Sequence, residues 1–192
     1  MIEGKSRKQF EKFFVTPYLD SIPLNPSILT LISLLTGIST LPLLFFEYSK
    51  SAFCLLLLSG FLDIVDGSLA RKKGLISDKG AAFDLISDRM VETAVLIGLY
   101  LVEPAVRAFP TILMLSSVYL CTCSFFIVSM FSNKNSEKSF YYSPGIIERA
   151  EAFLFFGAMI LLPKYFGALS YSFSFLVFLT AFIRMNQYRK ST

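Results

Sequence analysis

Apolar residues fall along this chain in long blocks, not in the short alternations of a soluble sheet. Six blocks, at about 28–46, 52–69, 83–102, 109–131, 147–162 and 166–183, are separated by short polar or charged stretches. About 20 consecutive apolar residues in a helix cross a bilayer, and a helix satisfies every backbone polar group within hydrocarbon. The pattern predicts an all-α, polytopic membrane protein with six transmembrane helices. The second and third blocks each carry carboxylates at the end that faces the other, which places those charges near one membrane face. The fifth is short when counted from Arg149, so Glu148, Arg149 and Glu151 are expected to face protein or a wet cavity.

Residues 3–16 have a different pattern. Phe10, Phe13 and Phe14 are spaced as an apolar stripe on a helix, among Lys5, Arg7, Lys8 and Lys12. A basic helix with an aromatic stripe is expected to lie in the membrane surface, and Pro17 should end it. The plainer alternative is a solvated tail. The first long apolar stretch, from near Ser27, exceeds the core of a cleaved signal peptide, and none is expected. One domain over 1–192 is expected, with 1–26 as its interfacial amino-terminal segment.

Composition agrees with the blocks: 54% of the 192 residues are hydrophobic and 17% charged, too apolar for a soluble domain of this size. The net charge of +4 matters through its placement. With six spans, fifteen lysines and arginines fall on the side of the two termini and the 2–3 and 4–5 loops. Three, Lys50, Arg107 and Lys164, fall on the other. That asymmetry predicts both termini in the cytoplasm. Basic residues dispersed between apolar spans exclude a nucleic-acid partner. Cys54, Cys121 and Cys123 lie inside apolar runs and read as packing residues, with no disulfide framework or zinc site. The stretch Ser132–Ser139 reads as a solvated loop.

The chemistry is concentrated in residues 63–88. Asp63, Asp66, Asp84 and Asp88 are spaced by three, eighteen and four residues, so each pair shares a helix face. Carboxylates beside apolar runs are costly without a partner, and four together repel unless a cation sits between them. Oxygen ligands favour a hard ion, magnesium or manganese, and the chain contains no histidine. The missing histidine also excludes a serine-hydrolase triad or a phosphohistidine.

This stretch resembles the signature of the CDP-alcohol phosphatidyltransferases, Asp-x2-Asp-Gly-x2-Ala-Arg-x8-Gly-x3-Asp-x3-Asp. Asp63, Asp66, Gly67, Ala70, Arg71, Gly80, Asp84 and Asp88 fill its eight fixed positions. The resemblance implies transfer of a phosphatidyl group from CDP-diacylglycerol to a small polar alcohol, with release of CMP. It implies two Mg2+ or Mn2+ ions per site, with Asp63, Asp66 and Asp84 as principal ligands. Asp88 would assist at the second ion and act as general base. Gly67, Ala70, Arg71, Ser77 and Gly80 match the positions that hold the CDP moiety. A homodimer in the membrane, with one site per protomer open to the cytoplasm, is also implied.

Two further matches concern the ends of spans. Pro26-Ser27-Ile-Leu-Thr30 resembles a Pro-Asn-x-x-Thr segment that opens the first span in this family, with Ser27 in the Asn position as a candidate helix cap. Gly145-Ile-Ile-Glu148-Arg149-Ala-Glu151 resembles a segment of the branch that uses inositol phosphate. Arg149, with Lys134 or Lys138, would then bind the acceptor phosphate; the alternative is an Arg149–Glu ion pair at the helix start. Glycerol 3-phosphate and inositol phosphate lead as acceptors, with serine or another alcohol behind them. The rival readings are a cation transporter lined by the aspartates and an inactive lipid-binding member of the fold.

Overall fold

A computed structural model describes residues 24–131 and 145–191, and all regular structure among them is helical. The expected interfacial helix at 3–16 and the loop at 132–139 lie outside the described residues. Two compact units divide near Pro104, one built on α1 to α4 and the other on α5 to α7, and each is described by itself.

In the first unit, α1 (Pro26–Ile38) opens with Asn25 as its N-cap, whose side chain accepts from Ser27 N at 3.2 Å. This corrects the expectation of Ser27 as the cap. Proline at the first helical position puts the cap one residue earlier, where the backbone is still extended. The first span is not continuous. It breaks at Ser39 and resumes as α2 (Thr40–Phe45), because Pro42 lacks an N–H and its ring crowds the carbonyl of Ile38. Thr40 Oγ1 donates to Gly37 O at 2.7 Å and Ser39 Oγ to Leu35 O at 2.8 Å, satisfying carbonyls at the break. The turn to α3 takes Glu47 into the left-handed region, at φ 62°.

The helix α3 (Ser49–Lys73) ends where Gly74 adopts φ 64° and Leu75 N donates to Ala70 O at 3.0 Å. Such left-handed closures favour glycine. Arg71, Lys72 and Lys73 occupy the last turn, where the helix dipole favours cations. Ser77 then caps α4 (Asp78–Val102), accepting from Gly80 N at 3.1 Å. Both helices show a heptad stripe of buried positions. On α3 it is Ala52, Leu56, Ser59, Asp63 and Asp66; on α4, Asp88, Val91, Val95 and Gly98 continue from half-buried Asp84. The helix α1 packs against both α3 and α4, and α2 packs on α4.

In the second unit, α5 (Pro104–Phe131) carries Pro110 inside its first turns. The helix α6 (Arg149–Leu161) begins with a capping box in which Glu148 and Glu151 each accept from the other's backbone N–H. A 3-10 turn, Pro163–Tyr165, leads into α7 (Phe166–Ser191). Phe156 and Phe173 are fully buried against each other, with ring centroids 5.4 Å apart. The buried stripe of α7 runs Phe166, Ser170, Phe173, Val177, Thr180, Arg184 at heptad spacing.

Four segments among the described residues are long and apolar enough to cross a membrane: Pro26–Phe45, Ser49–Lys73, Pro104–Phe131 and Pro163–Arg189. The other two expected spans form helices that fall short for different reasons. The charges of α4 interrupt its apolar run, and α6 has only 13 residues.

Thr180 is the anchor of the segment before α6. Its fully buried Oγ1 accepts from Ile146 N at 3.2 Å and Ile147 N at 3.1 Å while donating to Leu176 O. Thr180→Val keeps the shape but removes the acceptor from both donors, and leaving such groups unsatisfied costs about 2 kcal/mol. Thermal unfolding in detergent should show a melting temperature lower by about 4–8 °C; an unchanged melting curve would contradict this account of the segment.

Candidate active site

Two helices bring the carboxylates together. Asp63 and Asp66 are on one face of α3 because they are three residues apart, and both are buried. Asp84 is in the second turn of α4. One oxygen from each of Asp63, Asp66 and Asp84 lies within 4.8 Å of the others. The seventeen residues between Asp66 and Asp84 include the Gly74 closure and the Ser77 cap, which reverse the chain and return Asp84 to the level of Asp66.

Asp88, one turn beyond Asp84, is buried at 9% exposure but outside this three-oxygen group. That separates the four aspartates into a cluster of three and a neighbour one turn along α4.

The donor set fits a hard divalent cation. It is oxygen only, and Oδ2 of Asp66 and Oδ1 of Asp84 are buried with no hydrogen bond to those atoms. Two oxygens bound to one such ion at about 2.1 Å are at most about 4.2 Å apart. Small side-chain rotations therefore suffice to bring the group into coordination. Without a cation each pair of charges at this range repels by roughly 3–4 kcal/mol at an effective dielectric of 20.

The remaining signature residues are on the same two helices and the turn between them. Gly67 and Ala70 are half-buried on α3. Arg71 is exposed, with Nη2 donating to Ser68 Oγ at 3.1 Å, and Ser68 in turn donates to Ile64 O at 2.8 Å. The guanidinium is thereby steered along α3. Ser77 uses an oxygen lone pair for the Gly80 cap, which leaves its hydroxyl proton able to serve an anion. A Cβ at Gly80 would meet Ser77 Oγ at 3.2 Å, so glycine keeps that cap close.

Arg149 opens α6 in the other unit, with its guanidinium 5.6 Å from the centre of the Phe153 ring. The start of α6 is held by the Glu148–Glu151 capping box, and Gly145 N also donates to Glu148 Oε1 at 3.3 Å. The two glutamates thus cap the backbone at the place where Arg149 begins the helix.

Three buried charges were not singled out from the sequence. Glu92, at 3% exposure, is paired with Arg89 at 2.7 Å, one turn past Asp88. Arg107 lies 4.4 Å over the Phe166 ring and is buried. Arg184 follows the last apolar block at 166–183 and by sequence falls among the cations of the carboxyl tail, yet α7 continues to Ser191. Its guanidinium is buried and donates to Cys121 O at 3.1 Å and Ser124 Oγ at 3.3 Å. The heptad from Phe166 through Thr180 reaches Arg184 and is the signal that would have identified it as inward-facing.

Comparison with known proteins places these features in a family. The sequence model of the CDP-alcohol phosphatidyltransferases matches residues 24–184. The chain is 30% identical over 174 residues to the inner membrane protein YnjF of Escherichia coli, covering 87% of this chain and 84% of that protein. It is 36% identical over 81 residues to a cardiolipin synthase (CMP-forming)/mitochondrial hydrolase fusion protein of Schizosaccharomyces pombe, covering 42% of this chain but 14% of that longer protein. Its fold is similar to the phosphatidylinositol phosphate synthase PgsA1 of Mycobacterium tuberculosis solved with CDP-DAG bound. The TM-score is 0.76 at 18% identity, over 91% of this chain and 93% of that one. A second structure of that synthase, with manganese and citrate, matches with the same score and identity over 91% of this chain and 88% of that one. With the family model spanning both units and the signature aspartates converging as described, the chain is an integral membrane protein that belongs to the CDP-alcohol phosphatidyltransferase family.

Proposed function

We propose that this protein transfers a phosphatidyl group from CDP-diacylglycerol to a small polar alcohol, either glycerol 3-phosphate or an inositol phosphate, and releases CMP. The observation that carries the reading is the convergence of Asp63, Asp66 and Asp84 within 4.8 Å inside a complete family signature. The relative bound to CDP-DAG, the one bound to manganese and the CMP-forming name of the fission-yeast relative support it. Serine or another alcohol is the alternative acceptor.

Asp63, Asp66 and Asp84 would hold the divalent ions, with Asp88 contributing at a second. Two bound Mg2+ or Mn2+ ions would neutralise the pyrophosphate and stabilise the departing CMP. Arg71 and the Ser77 hydroxyl bind donor phosphate oxygens. Gly67, Ala70 and Gly80 let the nucleotide approach the helices. Arg149 binds the phosphate of the acceptor. Asp88 takes the proton of the attacking hydroxyl as its oxygen bonds to phosphorus. The phosphorus–oxygen bond to CMP breaks as the new one forms, so one phosphoester replaces one phosphoanhydride. No histidine competes for the base role.

In this reading both units form one domain, as the extent of the family match supports. All six long helical segments span the membrane, with α4 crossing despite its charges because they face protein. The residues 3–16 lie as an amphipathic helix in the interface. The lysine and arginine asymmetry supports both termini and the site on the cytoplasmic side, and the protein acts as a homodimer.

Purified protein in detergent, given CDP-diacylglycerol, Mg2+ or Mn2+ and a panel of glycerol 3-phosphate, inositol 1-phosphate, inositol and serine, should release CMP with one of the two phosphorylated acceptors and lose activity to a chelator. Release with serine alone would move the assignment to the alternative acceptor, and chelator-resistant release would overturn the metal reading. Asp88→Asn should reduce turnover by about 10²–10⁴-fold, the usual contribution of a general base, while retaining donor binding. Turnover near that of the parent would remove Asp88 from the base role. Asp66→Asn should act oppositely on stability and binding. Relief of repulsion should raise the melting temperature of the metal-free protein by a few degrees, on the order of 1–2 kcal/mol, while Mn2+ affinity falls. A variant that melts lower and binds Mn2+ equally well would contradict the cluster's electrostatics.

A further inference from the structure

The contact that sets the spacing of the two carboxylate helices lies one turn below the carboxylates, on a third helix. Gly37, in the last turn of α1, is buried between α3 and α4. A Cβ built there would be 2.5 and 2.7 Å from the two methyl carbons of Val91 on α4, and 2.8 Å from Ser59 Oγ on α3. No real Cβ is accommodated at such distances without movement of a neighbour. Ser59 is four residues before Asp63 and shares its stripe; Val91 is three residues after Asp88 and seven after Asp84.

Neither neighbour can yield easily. Ser59 is fully buried and bonded to α1 twice: its Oγ donates to Ser33 O at 2.9 Å, and Ser33 Oγ donates to Ser59 O at 2.8 Å. Rotating the Ser59 hydroxyl away would take its buried proton from this acceptor. Val91 is 3% exposed, and a β-branched side chain in a helix has one strongly preferred rotamer. On α4, Gly98 meets Leu44 Cδ1 of α2 at 2.8 Å for an added Cβ, two turns beyond Val91. The carboxylate helix is therefore seated on the α1–α2 segment at two close-approach points and has little room to tilt.

We propose that Gly37 is a positioning residue for the cation site. Its missing side chain sets how near the α4 carboxylates come to those of α3, through the Ser59 and Val91 contacts. This inference rests on the metal-dependent reading above. A side chain at position 37 acts as a wedge between the two helices, and its first effect is on the separation of Asp63 and Asp66 from Asp84. Ion coordination tolerates little displacement, because functional geometry must be held within about 0.5 Å.

The test is Mn2+ binding to the detergent-solubilised full chain, read by electron paramagnetic resonance of free Mn2+ without turnover, together with thermal unfolding. Gly37→Ala should weaken Mn2+ binding by about 10–100-fold, the range typical of groups that orient metal ligands. Adding Val91→Ala, which removes two of the three close contacts, should restore most of the affinity. A role in packing alone would lower the melting temperature of Gly37→Ala but leave its Mn2+ affinity within about twofold of the parent. That outcome, or a double variant that regains stability without regaining affinity, overturns the proposal. If Gly37→Ala gives no folded protein, Ser59→Ala probes the same contact more gently. It should weaken Mn2+ several-fold, and unchanged binding there also overturns the proposal. A parent protein that binds no Mn2+ would overturn the metal reading itself, a result distinct from a parent and a Gly37→Ala variant that bind it alike.

Discussion

Mutual repulsion among buried carboxylates is the constraint on which the first unit depends. Asp63, Asp66 and Asp84 hold oxygens within 4.8 Å of one another. Left to itself such a cluster would push α3 and α4 apart, so the helices must be held from elsewhere. The apolar halves of the two buried stripes, the Ser33–Ser59 hydroxyl exchange and the glycine contacts at Gly37 and Gly98 supply that restraint. Packing holds the carboxylates at this spacing, and a cation between them would convert their mutual repulsion into binding energy. Stability and function are opposed at these residues.

The same stripes divide the labour along each helix. Towards the turn at Gly74–Ser77 they present carboxylates; farther away they present serine, valine, leucine and glycine. Small residues occur where helices must approach closely without a hydrophobic drive between them, as inside a bilayer. The α3–α4 turn is closed at both ends by local chemistry, a left-handed glycine on one side and a serine cap on the other. A capped, short connection allows the register of α4 against α3 to be set by packing, with little slack from the loop.

The second unit stores its polar groups differently. Arg107 rests on an aromatic ring, and Arg184 donates to a helix carbonyl and a serine hydroxyl while passing near Phe125. Buried cations in apolar helices need such partners. Thr180 serves two backbone donors ahead of α6 and one acceptor within α7, so a single hydroxyl couples the entry of α6 to the helix beside it.

Much was legible in the residues alone. The apolar blocks located the long helices but not all of their ends, α7 running on to Ser191, because burial in lipid requires composition and length that no loop shares. The spacing of Asp63, Asp66, Asp84 and Asp88 marked out the candidate site, of which three residues converge, because helical periodicity is local and a family signature is a property of the chain. Tertiary structure decided the rest. It put Asp88 outside the cluster of three, because one helical turn displaces a side chain along the axis by more than a ligand-to-ligand distance. It placed the cap on Asn25 and broke the first span at Ser39, where a proline three residues on competes with propensity. It turned Arg184 from a tail cation into a buried donor, because the end of a helix is set by what packs against it. The closeness of α1 to both carboxylate helices at Gly37 is invisible in any one segment: it depends on three helices separated in sequence, and only their packing brings Ser59 and Val91 to the same glycine.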